Sequence, residues 1–169
     1  MKHVLIGGAF ALALAVPAFA GEYTIMAPAA PGGGWDSTAR TMQEVMQAEG
    51  IADSVQVENV PGAGGTVGLA QFVTSSSGDA SKLIVGGYVM VGAILTNASP
   101  VSLADVTPVA RLTGEAEAIA VPANSDIQTI GDLVEKLKAD PGAVSWAGGS
   151  AGGVDHITVG LLAKAAGVD

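Results

Sequence analysis

The sequence predicts an α/β fold built on a mostly parallel sheet, and three observations carry that prediction. Short apolar runs of strand length alternate with longer segments in which apolar residues recur at helical spacing. Three glycine-rich turns, PGGGWDST (31–38), PGAGGTVG (61–68) and GGSAGGVDH (148–156), each follow a strand-like run and open a helix-like one. The chain has no cysteine, so an ordinary apolar core, not a disulfide framework, must hold it together.

Residues 1–20 stand apart from the fold. Lys2 and His3 precede an apolar run over 4–16, and Ala18 and Ala20 fill the small-residue positions before Gly21. That is the layout of a secretory signal peptide, cleaved after Ala20. A membrane anchor needs roughly twenty apolar residues to cross the bilayer, more than this run supplies. No cysteine follows the run for lipid attachment, so a soluble exported protein is expected.

Beyond the leader, residues 23–27 read as a buried strand ended by Pro28. Residues 36–49 read as a helix with Ala39, Met42, Val45 and Met46 inward, Asp36 at the N-cap and Gly50 as the stop. Residues 55–60 form a second strand, 66–73 a second helix and, after a polar loop over 74–81, 83–87 a third strand. The runs 106–113 and 118–121 read as two further strands around GEAE (114–117), where a domain boundary is expected. Residues 129–139 read as a helix with Ile130, Leu133, Val134 and Leu137 inward, started by Thr129 and Asp132 as a capping box. A strand over 144–147 and a helix over 154–166, closed by Gly167, complete the pattern.

Open parallel sheets bind ligands at the carboxyl ends of their strands, where all three glycine turns fall. Helix starts there leave N–H groups unpaired and carry partial positive charge, so each turn offers a seat for a carboxylate or phosphate. The whole chain has 7 Lys plus Arg against 16 Asp plus Glu, a formal charge of −9. So acidic a surface is not drawn to nucleic acid or anionic lipid.

More specific chemistries fit less well. PGAGGTVG lacks the glycine spacing and the later acidic residue of a dinucleotide fingerprint, and no glycine run ends in Lys next to Ser or Thr. No cofactor is therefore expected. Gly148 to Gly152 matches G-x-S-x-G, the elbow that displays a nucleophilic serine in α/β-hydrolases. An enzyme using Ser150 is the alternative to a binding protein. Its weakness is His156, six residues further along the same segment and on the order of 9 Å away if that segment is helical. Asp155 and His156 are adjacent and have no further His or Cys to complete a metal shell, which leaves His156 to orient the turn before it. Trp35 and Trp146 wall a pocket or pack in the core. Arg40 and Arg111 pair with a ligand or, more commonly, with one of the chain's own acids.

At these turns the chain resembles the extracytoplasmic solute receptors, or substrate-binding proteins, of tripartite tricarboxylate transporters. The resemblance rests on APAAPGGGWDSTAR (27–40), VENVPGAGGTVGLAQF (57–72) and VSWAGGSAGGVDHITVGLLAKAAGVD (144–169), in that order. It implies a periplasmic-binding-protein-like (type II) two-lobe α/β architecture and no enzymatic activity. A small carboxylate would be enclosed between the lobes and delivered to two integral membrane transporter subunits. It also implies a periplasmic location and, from the PGGGWD form of the first loop, the citrate or tricarboxylate-binding branch. By position it makes Pro31, Gly32, Gly33, Gly34, Trp35 and Asp36 the first ligand loop and Gly64, Gly65 and Thr66 the second. Gly149, Ser150, Ala151 and Gly152 are the contribution of the other lobe, and residues 87–90 a fourth candidate. Members of that family are longer than this chain. Residues 21–115 are thus expected to form a near-complete first lobe and 116–169 a partial second one, a truncated product or a fragment that binds tricarboxylates poorly alone.

Overall fold

A computed structural model describes residues 21–168; the expected signal peptide lies outside the described residues. Its sheet has three parallel strands, β1 (Gly21–Ala27), β2 (Ala52–Asn59) and β3 (Lys82–Ile84), in the order β2-β1-β3. Central β1 runs in register with β2 from Glu22–Ser54 to Ala27–Asn59. Three consecutive residues of β1, Ile25, Met26 and Ala27, are buried. Alternation puts them on both faces, so the sheet is covered on each side.

One cover is α1 (Gly34–Ala48), whose Ala39 joins Ile25, Ala27, Ala52, Val55 and Val85 in the main core cluster. Met26 lies outside that cluster, as do the fully buried Leu69 of α2 (Thr66–Ser75) and Met90 of α3 (Tyr88–Thr96). These two helices supply the second cover. Gly50 ends α1 as expected, in the left-handed region at φ +65°. Its N–H reaches the Gln47 carbonyl and that of Ile51 reaches Met46, a paired closure of the last turn. Further along, α4 (Ile130–Ala139) and α5 (Val154–Ala166) pack on each other, and α5 also meets α3. Thr129 and Asp132 form the expected capping box, and Gly167 closes α5 at φ +74°.

Several expectations are corrected. Runs 106–113, 118–121 and 144–147 are not strands. Their β-branched composition suits a strand, but no neighbouring strand among the described residues supplies a hydrogen-bonding ladder, and Val109 and Leu112 stand exposed. The third strand ends at Ile84, and residues 88–96 form α3. The N-cap of α1 is Gly33, with Asp36 inside the first turn. Val45 and Ile130, expected inward, are 50% and 58% exposed.

The second cover depends on a few side chains, and Leu69 is fully enclosed. Leu69→Ala is expected to cost about 2–5 kcal/mol by urea unfolding, whereas Val67→Ala, half-exposed on the same helix, should shift stability by no more than about 0.5 kcal/mol.

Candidate functional site

Three helix starts follow the carboxyl ends of the three strands. In a β2-β1-β3 sheet the winding reverses between β1 and β3, the switch point at which open α/β sheets form a crevice. Trp35, in the first turn of α1, ties the three ends together. A Cβ at Gly65 would lie 2.7 Å from the indole Cζ3, and one at Gly87 would lie 3.1 Å from its Nε1. The indole therefore lies against both the second turn and the N-cap of α3, half-buried on the main core cluster. Gly65 also sits at φ +93°, where a side chain would be strained as well as blocked.

The first loop is held by a buried carboxylate. Asp36, 3% exposed, accepts the Gly32 N–H (2.8 Å) and Arg40 Nε (3.0 Å) on Oδ2, and Asn59 Nδ2 (2.9 Å) on Oδ1. Hydrogen bonds from Arg40, Gly32 and Asn59, in that order, lower its pKa from 3.8 to about 2. Arg40 is thus paired within the chain, the commoner of the two expected outcomes; Arg111 makes no ion pair among the described residues. Asp36 is thus turned to its own loop. The N–H groups of Gly34, Trp35 and Asp36 occupy the first turn of α1, which leaves them without intrahelical acceptors. Pro31, Gly32 and Gly34 are exposed, and a Cβ at Gly32 or Gly34 would meet nothing within 4 Å. The space before α1 is open.

In the second loop, Gly64 packs so closely that a Cβ there would come 2.5 Å from Ala93 Cβ of α3. Thr66 is buried, and its hydroxyl donates to the Ala63 carbonyl at 2.9 Å. Its proton is spent inside the loop; the exposed residues of this motif, Pro61 to Gly64 and Val67, carry no polar side chain.

The structure seats the third turn on α3. Gly92 and Gly152 approach so closely that a Cβ on Gly92 would strike the Gly152 carbonyl, and a Cβ on Gly152 would lie 2.6 Å from Thr96 Cγ2. Side chains of α5 consume two donors: Asp155 Oδ2 accepts the Gly149 N–H at 2.7 Å and His156 Nδ1 that of Gly152 at 3.0 Å. His156 orients the turn as its position implied. Glu117 lies beside this carboxylate, its own pKa raised by burial and then by the charge of Asp155. Ala151 is exposed, as is Ser150, whose hydroxyl makes no hydrogen bond among the described residues. It does not cap α5, whose N-cap is Gly153.

This geometry does not supply the elbow on which the hydrolase alternative rests. Ser150 has no strand before it and α5 begins four residues later, so there is no nucleophile elbow. His156 has its Nδ1 occupied by a backbone donor, and among the described residues no base engages the serine hydroxyl. An open apolar cleft of about 310 Å³ between α3 and α5, lined by Gly92, Leu95, Thr96, Gly152, His156 and Ile157, lacks the convergent donors a carboxylate needs. Asn59 and residues 91–96 of α3 were not marked as functional by their sequence; residues 87–90, the fourth candidate, are the N-cap and first turn of that helix and not a strand tip. A polar residue ending a strand just before a glycine turn is the one signal that could have found Asn59, and with the second strand read as 55–60 it did not stand out.

Residues 38–169 match the model of the tripartite tricarboxylate transporter family receptor. The chain is 29% identical over 86% of its length to the UPF0065 protein in the tcbD-tcbE intergenic region of Pseudomonas sp. (strain P51), covering 44% of that protein. It is 30% identical over 85% of its length to a UPF0065 protein in the TAR-I ttuE-ttuC' intergenic region of Agrobacterium vitis, covering 42%. A UPF0065 protein of Bordetella bronchiseptica is 34% identical over 79% of the chain, with 44% of that protein covered. The chain spans less than half the length of these relatives.

The pKa of Asp36 lies below its unfolded value of 3.8. The stabilisation from its network is therefore complete above that pH and lost as pH falls toward about 2. Asp36→Asn should lower the denaturant midpoint near neutrality, and its deficit against wild type should shrink over that acid range. A deficit that does not change with pH would contradict the ionised network.

Proposed function

Because this chain belongs to the tripartite tricarboxylate transporter receptor family, we propose that it captures a small carboxylate outside the cytoplasmic membrane. The ligand class is a tricarboxylate such as citrate, and the captured molecule passes to two integral membrane subunits of the transporter. The observation that carries this reading is that three helix starts lie at the carboxyl ends of one parallel sheet, with the Gly34, Trp35 and Asp36 N–H groups lacking intrahelical acceptors and open space at Gly34. The frame is the two-lobe, periplasmic type II arrangement, with residues 21–115 in the first lobe and 116–169 in the second. Its exported state rests on the signal-peptide pattern of residues 1–20.

In this reading Pro31, Gly32, Gly33, Gly34, Trp35 and Asp36 shape the first seat, and Gly64, Gly65 and Thr66 the second. Gly149, Ser150, Ala151 and Gly152 add the other lobe's share, where the unpartnered Ser150 hydroxyl is free to meet a ligand oxygen. Asp36 works behind the backbone donors. The overall charge of −9 does not prevent anion capture, because scattered surface charges are screened beyond about 8–10 Å in physiological salt. Hydrogen bonds to a charged acceptor each contribute roughly 1.5–3 kcal/mol.

Donors from the first lobe alone, after association costs, support binding in the millimolar range, about 4 kcal/mol. Citrate titrated into ¹⁵N-labelled residues 21–169 should therefore shift the amide signals of Gly32, Gly34, Trp35 and Thr66 at millimolar concentration. An uncharged polyol of similar size should not. Equal response to the polyol, or citrate shifts confined to other regions, would overturn carboxylate capture at these turns.

A further inference from the structure

We infer that Asn59 is the positioning residue that sets the first ligand loop against the second, an inference that rests on the carboxylate-receptor reading. Asn59 is the last residue of β2, opposite Ala27 at the end of β1, and three residues before Gly62. Its side-chain amide has two N–H donors and both leave the strand for the first loop: Nδ2 donates to the Ala29 carbonyl at 3.1 Å and to Asp36 Oδ1 at 2.9 Å. Its Oδ1 faces Arg40 Nη2 at 3.4 Å. Through Ala29 it fixes where the loop leaves β1. Through Asp36, whose other oxygen holds the Gly32 N–H, it fixes the middle of the loop and the start of α1.

An amide suits this place and other groups do not. The position must donate twice and accept once beside a carboxylate. Aspartate offers no donor when ionised, leucine offers none at all, and a cation would compete with Arg40 for the same carboxylate. The charged groups facing the amide are Asp36 and Arg40, both from α1. The helix after the second loop, α2, has no charged residue. Glu58, the preceding strand residue, points to the opposite face and is bonded by Gln71.

Asn59→Asp provides a test that a merely structural role would not satisfy. It places a second carboxylate within hydrogen-bonding distance of Asp36, and two such groups cannot both stay ionised at no cost, so one pKa of the pair rises. Near neutral pH the two repel and the loop loosens. On acidification one shared proton restores a donor between positions 59 and 36. The amides of Gly32, Gly33 and Gly34 should show low heteronuclear NOE values in Asn59→Asp at about pH 7, recovering toward wild type at about pH 5. Citrate affinity, expressed as the ratio of variant to wild type at each pH, should fall at least about tenfold at the higher pH and recover at the lower one.

Asn59→Leu, measured alongside, should show the deficit without the recovery. A rigid loop in Asn59→Asp near neutrality, or a deficit unchanged by acidification, would overturn the inference. Because the NOE measurement needs no ligand, failure of wild type to bind citrate would refute the receptor reading separately, while the loop measurement still decides the role of Asn59.

Discussion

A single buried carboxylate gives the crevice its shape. Asp36 sits in the first turn of α1 with three donors on its oxygens, from the loop before it, the helix after it and the neighbouring strand. A carboxylate cannot be buried without such partners, so the requirement runs backward through the structure. Gly32 must bring its N–H inward, β2 must end in a side chain that donates, and Arg40 must lie one turn along the helix. The outcome is that the acidic side chain of the first loop is turned to its own loop, while the N–H groups of Gly34, Trp35 and Asp36 itself are left without intrahelical acceptors. Anion capture by an acidic chain becomes compatible with its charge.

The glycines are explained by packing as much as by ligand access. At Gly65 and Gly87 the missing side chains make room for the Trp35 indole, which lets one residue of the first loop rest on the second loop and on the start of α3. At Gly92 and Gly152 the missing side chains let α3 and the third turn meet backbone to backbone. Among the glycines of the three turns, only Gly32 and Gly34 would place a Cβ in open space; Gly32 is held at φ +85°, so Gly34 is the position where a side chain would compete with a ligand instead of with the fold. α3, placed between the second and third turns, links the two regions of the chain.

Much of this was legible in the sequence. The periodicity of residues 36–49, the Thr129–Asp132 pair and the glycines after two helices marked α1, α4 and α5, because these signals are local; the start of α1, where Gly33 offers no side-chain cap, was misplaced to Asp36. α3 was not legible: YVMVGAILT is apolar on every side, so no amphipathic period separates it from a strand. The runs 106–113, 118–121 and 144–147 have strand composition, yet a strand exists only with a partner, and partnership is not a local property. The three glycine motifs marked the candidate loops. The roles of Asp36 and Asn59 stayed hidden because a hydrogen bond across 23 residues leaves no trace in spacing.

Recognition by main-chain donors is tested most directly by a crystal structure of the protein with citrate bound. A citrate carboxylate should lie within about 2.7–3.1 Å of the Gly34 and Trp35 nitrogens, with Asp36 still bonded to Gly32, Arg40 and Asn59. A carboxylate held instead by the Arg40 or Arg111 guanidinium, with those backbone nitrogens unoccupied, would contradict it.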